Sequence, residues 1–212
     1  MFKRTIALGA LVGVACLGQD HRIAAGFNAI ELSAARASVW EYTARSHVRA
    51  YTNVTLDGKL TLSGFNDLDI AHPETYLGRN LLIAGSPAGH QAIAEFSSTA
   101  KHTSVRGGYR DMALNRLLHA HGYTDATFGK DDASITSFKG WQLKKGFSVD
   151  TYGTAMMSYR HARAIAYGEA QLNKSLGTNH CGAPQAYIQA QRGRGWNAYV
   201  AGVRIDPLKA FR

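Results

Sequence analysis

The chain has 212 residues, of which 45% are hydrophobic and 18% charged, and it carries 24 Lys/Arg against 15 Asp/Glu. That length and composition suit one or two globular domains with a real core. Two cysteines exclude a disulfide-framed mini-domain, and no stretch beyond the N-terminus is long and apolar enough for a membrane-spanning helix.

The net charge of +9 is uneven: residues 103–160 hold 8 Lys/Arg against 5 Asp/Glu, and residues 161–212 hold 7 against 2. A basic surface of this kind concentrates a protein on anionic polymers. No nucleic-acid motif accompanies the charge, and aromatic residues are not interleaved with it.

Lys3-Arg4 precedes an uncharged run, Thr5 to Leu17, and then Gln19, Asp20, His21 and Arg22. A basic start and a short apolar stretch read as a secretory signal over 1–25. Gly13-Val14-Ala15-Cys16 resembles a lipoprotein box, and Ile23-Ala24-Ala25 suits ordinary cleavage. Met1 to at least Ala15 are therefore expected to be absent from the mature protein.

Residues 26–102 read as a small α+β segment of unassigned role. Residues 29–44 have strong helix formers and an apolar stripe. Residues 47–62 alternate around Asp57-Gly58, a two-residue hairpin signal. Residues 65–79 read as a loop, 80–84 as a buried strand, 85–89 as a turn and 90–98 as a helix. The polar stretch 99–109, with Gly107-Gly108, is the expected linker.

Residues 111–150 carry the strongest pattern. Leu114, Leu117, Leu118 and His121 recur at helical spacing, as do Ile135, Phe138 and Trp141. Each stretch ends in a glycine and an aromatic, Gly122-Tyr123 and Gly146-Phe147, where glycine supplies a left-handed helix cap. A further helix is expected from Thr154 to Leu176, a loop to Gln185, a helix over 186–191, and a closing strand over 196–205.

Leu114-Asn115, Leu118, Gly122-Tyr123, Phe128-Gly129, Ser134, Ser137-Phe138, Trp141-Gln142, Gly146-Phe147, Val149-Asp150 and Thr154 stand in the order of a known pattern. Over about residues 105–165, within a module expected to span 103–165, the chain resembles the three-helix peptidoglycan-binding domain family. Asn115 and Trp141 depart from its Gln and Phe, and Thr151 from its glycine. The resemblance implies an α+β protein in which this module precedes a basic extension over 166–212. It implies non-catalytic binding to peptidoglycan or another anionic cell-wall polymer by an exported or phage-associated protein, without a cofactor or metal. With it, Arg116, Tyr123, Gln142, Asp150 and Tyr152 become the candidate ligand contacts.

Two alternatives stay open: a wall hydrolase, and a structural subunit with protein partners in an envelope or virion assembly. No catalytic motif supports the hydrolase. His119 and His121 diverge on a helix, and Gly85-Ser86-Pro87 lacks the spacing of a nucleophile elbow. His180-Cys181 are adjacent in sequence, a poor geometry for a thiol and its base. Glu31, Glu41 and Glu169 lack an assignable partner carboxylate.

Overall fold

A computed structural model of the chain describes residues 23–25, 29–37, 45–56, 59–69, 77–85, 89–99, 103–160, 163–177, 184–193 and 196–205. The described residues are nearly all strand. In chain order these are β1 (Ile23–Ala25), β2 (Ala29–Ala37), β3 (Arg45–Leu56), β4 (Leu60–Asp69), β5 (Leu77–Gly85), β6 (Gln91–Thr99) and β7 (Thr103–Asp111). They continue as β8 (His121–Gly129), β9 (Asp132–Gln142), β10 (Phe147–Ser158), β11 (Arg163–Ser175), β12 (Gln185–Gly193) and β13 (Trp196–Ile205). Among the described residues one short α-helix, α1 (Ala113–Leu117), links β7 to β8.

Every pairing is antiparallel, and each strand from β3 to β13 pairs with the next. The sheet then closes: β13 pairs with β2 (Ile205 opposite Ile30) and β2 pairs with β3 (Ala29 opposite Tyr51). Strands β2 to β13 form a twelve-stranded barrel, with β1 added against the far end of β3 (Ala25 opposite Val54). Closure leaves no unpaired edge between these strands.

The residues form strands because they alternate, and the register keeps the alternation in phase around the ring. In β12, Tyr187 and Gln189 are buried while Ile188 and Ala190 are exposed. In β8, Asp125 and Thr127 are buried and Phe128 is exposed. Opposite them on β9 stand Thr136 and Ser134, also buried, while the outward Ile135 is 60% exposed. The usual polarity of a water-soluble fold is thus inverted. The interior holds Arg79, Gln91, Glu95, Arg106, Arg110, Asp125, Asn173 and Gln189, all buried. The outer face carries Leu62, Leu82, Phe96, Val105, Phe128, Ile135, Leu172, Ile188, Tyr199 and Val203, all exposed. A small apolar cluster of Leu81, Ile83 and Ile93 lies inside.

This architecture overturns the expected α+β class and the three-helix module. The stretch 111–121 contains only the five-residue α1, and its supposed core residues Leu117 and Leu118 are exposed. The stretch 134–145 lies mostly in β9, where Phe138 points inward and Ile135 and Trp141 outward, so the three-residue stripe divides between two faces. Residues 154–176 form the end of β10 and all of β11 rather than a long helix. The helices expected over 29–44, 90–98 and 186–191 are likewise β2, β6 and β12 as far as they are described. Alanine favours helix locally, yet at every second position it also packs on a barrel wall, and pairing with two neighbours overrides the propensity. The expected linker holds most of β7, which pairs on both sides. The hairpin over 47–62 is present as β3 and β4, with Leu56 opposite Leu60, and 196–205 is β13.

Gly146 does adopt the left-handed conformation (φ 73°), with Lys145 beside it (φ 59°). The Phe147 N–H donates to the Lys144 carbonyl. Two left-handed central residues make a type I′ hairpin turn between β9 and β10, rather than a helix cap. Residues 1–22 of the expected signal segment, Cys16 among them, lie outside the described residues, as do Asp57-Gly58, Glu41 and the His180-Cys181 pair, whereas Ile23-Ala24-Ala25, the ordinary cleavage candidate, is β1.

Candidate functional site in the barrel lumen

The inward side chains fall into three hydrogen-bonded groups. The first lines one wall, on β5 to β9. Arg79 donates to Glu95 at 2.9 Å and to Asp125 at 3.0 Å. Arg110 grips the same Asp125 with two bonds of 2.7 and 2.9 Å, and its guanidinium lies 3.9 Å from the centre of the Tyr123 ring. Arg106 grips Asp132 with bonds of 2.6 and 2.7 Å and donates to Glu95 at 2.9 Å. Ser97 donates to Glu95 at 2.6 Å. Three arginines and three carboxylates therefore interlock, and charge-assisted two-point bonds of this kind fix side-chain geometry.

The second group crosses the lumen. Arg49 on β3 bonds Asp67 on β4 at 2.7 and 3.0 Å, and reaches Glu169 on β11 at 3.4 Å. Glu169 also accepts from Tyr167. The Phe65 ring on β4 meets Tyr152 on β10 edge-on, with centroids 6.1 Å apart. Five strands lie between β4 and β10 in either direction around the ring, so these two side chains meet from opposite walls. Tyr51 packs on Phe65 (6.3 Å) and Tyr167 on Tyr152 (6.2 Å).

The third group is amide-rich and covers β10 to β13. Asp150 takes bonds from Arg204 (3.3 Å) and Asn173 (3.0 Å), and Asn173 also donates to Ser148 at 3.2 Å. Gln171 donates to Asn173, Gln189 to Gln171 and Gln191 to Gln189.

Of the five residues singled out from the sequence, Tyr123, Gln142, Asp150 and Tyr152 all occupy luminal positions, but in different groups. Tyr123 belongs to the first, Tyr152 to the second and Asp150 to the third, while Gln142 sits exposed at the end of β9. Arg116 lies on α1, in a connection outside the ladder. Among the described residues there is no inter-helix groove, and the five are spread over three luminal groups, a strand end and a connection. Sequence reading missed Arg49, Arg79, Glu95, Arg106, Arg110 and Asp125. The signal that finds them is a polar or charged residue at alternate positions of a strand, as with Gln91, Glu95 and Ser97 in Gln91-Ala92-Ile93-Ala94-Glu95-Phe96-Ser97.

Near one rim the outer face is interrupted. Lys139 points outward from β9 yet is buried, bonded to Asn115, to Thr124 at 3.1 Å and to the Tyr123 carbonyl at 3.1 Å. The α1 connection folds over it, and Trp141 donates to the Leu118 carbonyl at 3.2 Å. Lys139 is thereby covered by the chain itself.

No family model and no curated protein matches the chain. Among solved structures it is similar to a KdgM porin, with a TM-score of 0.53 and 10% identity over 84% of this chain and 98% of that one. A second structure, the KdgM porin in complex with disordered oligogalacturonate, gives 0.52 and 10% over the same shares. At that identity the likeness establishes the fold, a porin-type barrel. It overturns the resemblance to a three-helix wall-binding domain and, with it, the peptidoglycan-binding reading. An envelope setting remains in agreement with the fold.

Proposed function

We propose that the protein is an integral outer-membrane barrel with a narrow polar pore for small hydrophilic solutes. The observation that carries this is the two-faced alternation of the described side chains, apolar outside and polar inside, around a closed twelve-stranded sheet. Only a closed barrel satisfies every backbone group within lipid using strands. An apolar belt outside and a polar lumen inside are how such barrels are built. Outward aromatics stand toward both ends of the strands, Tyr109, Trp141 and Phe147 near the rim that carries α1 and Phe96, Phe128 and Tyr199 toward the other. Aromatic girdles at both interfaces have that arrangement.

Twelve strands lie between the barrels that side chains fill and the sixteen-stranded ones that leave a water channel. Long luminal side chains therefore decide how open the pore is. The charged lumen offers hydration sites to a polar solute, yet each of Arg49, Arg79, Arg106, Arg110 and Arg204 is ion-paired. The oligogalacturonate bound by the similar structure is polyanionic, and a lumen whose arginines are already engaged supports small neutral solutes instead.

The test is to express the full chain, isolate outer membranes and reconstitute the purified protein in liposomes. The expected results are a band that shifts on boiling before electrophoresis, and swelling in isotonic monosaccharide. A protein that washes off membranes with alkaline carbonate refutes the membrane reading. A boiled-shift band without swelling refutes the pore.

A further inference from the structure

The crossing group is more than a set of pairwise contacts. Followed around, it returns to its start: Arg49 donates to Tyr51 (3.3 Å), Tyr51 packs on Phe65, Phe65 on Tyr152 and Tyr152 on Tyr167. Tyr167 donates to Glu169, and Glu169 returns to Arg49 at 3.4 Å. The six side chains come from four strands, β3, β4, β10 and β11. They span the lumen near the middle of those strands, and at Phe65 and Tyr152 the opposite walls are in contact.

We propose that Arg49, Tyr51, Phe65, Tyr152, Tyr167 and Glu169 form the constriction that selects what passes through the barrel, a reading that rests on the pore function above. Size is set by the two rings from opposite walls. Phe65 and Tyr152 have only two side-chain torsions each, so a small solute passes when one swings aside, whereas a bulky or branched one does not. Charge is set by Arg49 and Glu169, which face each other at the same level. Within a low-dielectric wall the field of a few fixed charges is focused on the path of the ion. The Glu169 carboxylate, itself held by Tyr167 and Arg49, therefore weighs directly on the ratio of cation to anion passage. The aromatic faces and phenol hydroxyls match an uncharged, hydroxyl-bearing solute, which presents C–H faces to rings and O–H groups to polar tips. The first wall group does not share this role, since Arg79, Arg106 and Arg110 bond to carboxylates on nearby strands of the same wall.

The experiment is single-channel recording of the full-length protein in planar bilayers of uncharged lipid in potassium chloride. Four proteins are compared: wild type, the double variant Phe65→Ala/Tyr152→Ala, Glu169→Gln, and Phe138→Ala. Phe138 is a luminal ring one strand along from Tyr152 and at its level, but it packs on Tyr123 of its own wall and makes no contact across the lumen among those described. Folding of each is checked by the shift in electrophoretic mobility on boiling. The double variant is expected to raise conductance several-fold and to admit disaccharides in liposome swelling that the wild type excludes. Phe138→Ala is expected to leave both near wild type. Glu169→Gln is expected to move the reversal potential in a salt gradient toward anion passage.

A conducting wild type with a folded double variant of unchanged conductance overturns the constriction while the pore reading stands. An equal gain from Phe138→Ala overturns it as well, because the ring would then have no special place. If neither the wild type nor the double variant conducts once inserted, both readings fall. An unchanged reversal potential in Glu169→Gln removes the assignment of charge selection to that carboxylate.

Discussion

Asp125 is the residue on which the first wall group turns. Its carboxylate is almost fully buried, 1% exposed, and it takes bonds from two guanidiniums, Arg79 and Arg110. Removing one partner of a buried ion pair leaves an uncompensated charge and costs about 3–5 kcal/mol. Asp125→Ala leaves Arg110 without its carboxylate and Arg79 with Glu95 alone, so it is expected to fall within that range. The denaturant midpoint of the folded band in detergent measures it. Trp141 shows the opposite case. It lies on the outer face, half-exposed, with its indole N–H donating to Leu118. The loss expected for a buried core tryptophan does not apply to it, because no protein core closes around the ring.

At the level of elements, the β9–β10 hairpin depends on its turn. Lys145 and Gly146 are both left-handed, a conformation that costs an L-residue roughly 1–2 kcal/mol and glycine almost nothing. Gly146→Val is expected to lower stability by about that much, because valine is β-branched as well. Gly146→Asn is expected to lose far less, since asparagine tolerates this region. Equal losses in thermal melts of the two variants would show that the turn geometry is not the cause. Gly122, in β8, has φ 134°, and a side chain there would run into the Phe138 carbonyl of the paired strand. Both glycines stand out in the sequence as helix caps. The left-handed requirement was legible for Gly146, and only the element on either side of it was misassigned.

At the level of the whole molecule, burial has the reverse meaning from a soluble protein. Ile135 is 60% exposed on the outer wall, where the proposed membrane setting would supply a lipid neighbour. A charged residue on the lipid face of a barrel costs about 2–4 kcal/mol near the midplane and little near the interfaces. Ile135→Arg is therefore expected to weaken folding into vesicles by as much as this, seen as a lower urea midpoint. Leu117→Arg, in the exposed α1 connection, is expected to be nearly silent. A silent Ile135→Arg would mean that the outer face does not meet lipid.

Local features of several elements were readable in the residues alone. The alternation through Val48 to Leu62 marks a hairpin, and Trp196 to Ile205 marks a strand, because period two with β-branched and aromatic residues has few other solutions. Charge asymmetry was equally legible, but its meaning was not. Many of the basic residues read as a surface for anionic polymers, such as Arg106, Arg110 and Arg204, turn inward and pair with carboxylates. What only the tertiary structure decided is which way each face points. Over nine to thirteen residues an alternating segment such as Arg163–Ser175 and an amphipathic helix share much of their pattern. Each barrel strand is also stabilised by neighbours far away in sequence, as β2 is by β13. The candidate site follows the same rule. Phe65 and Tyr152 are ordinary aromatics on their own strands, and their meeting exists only because the sheet closes.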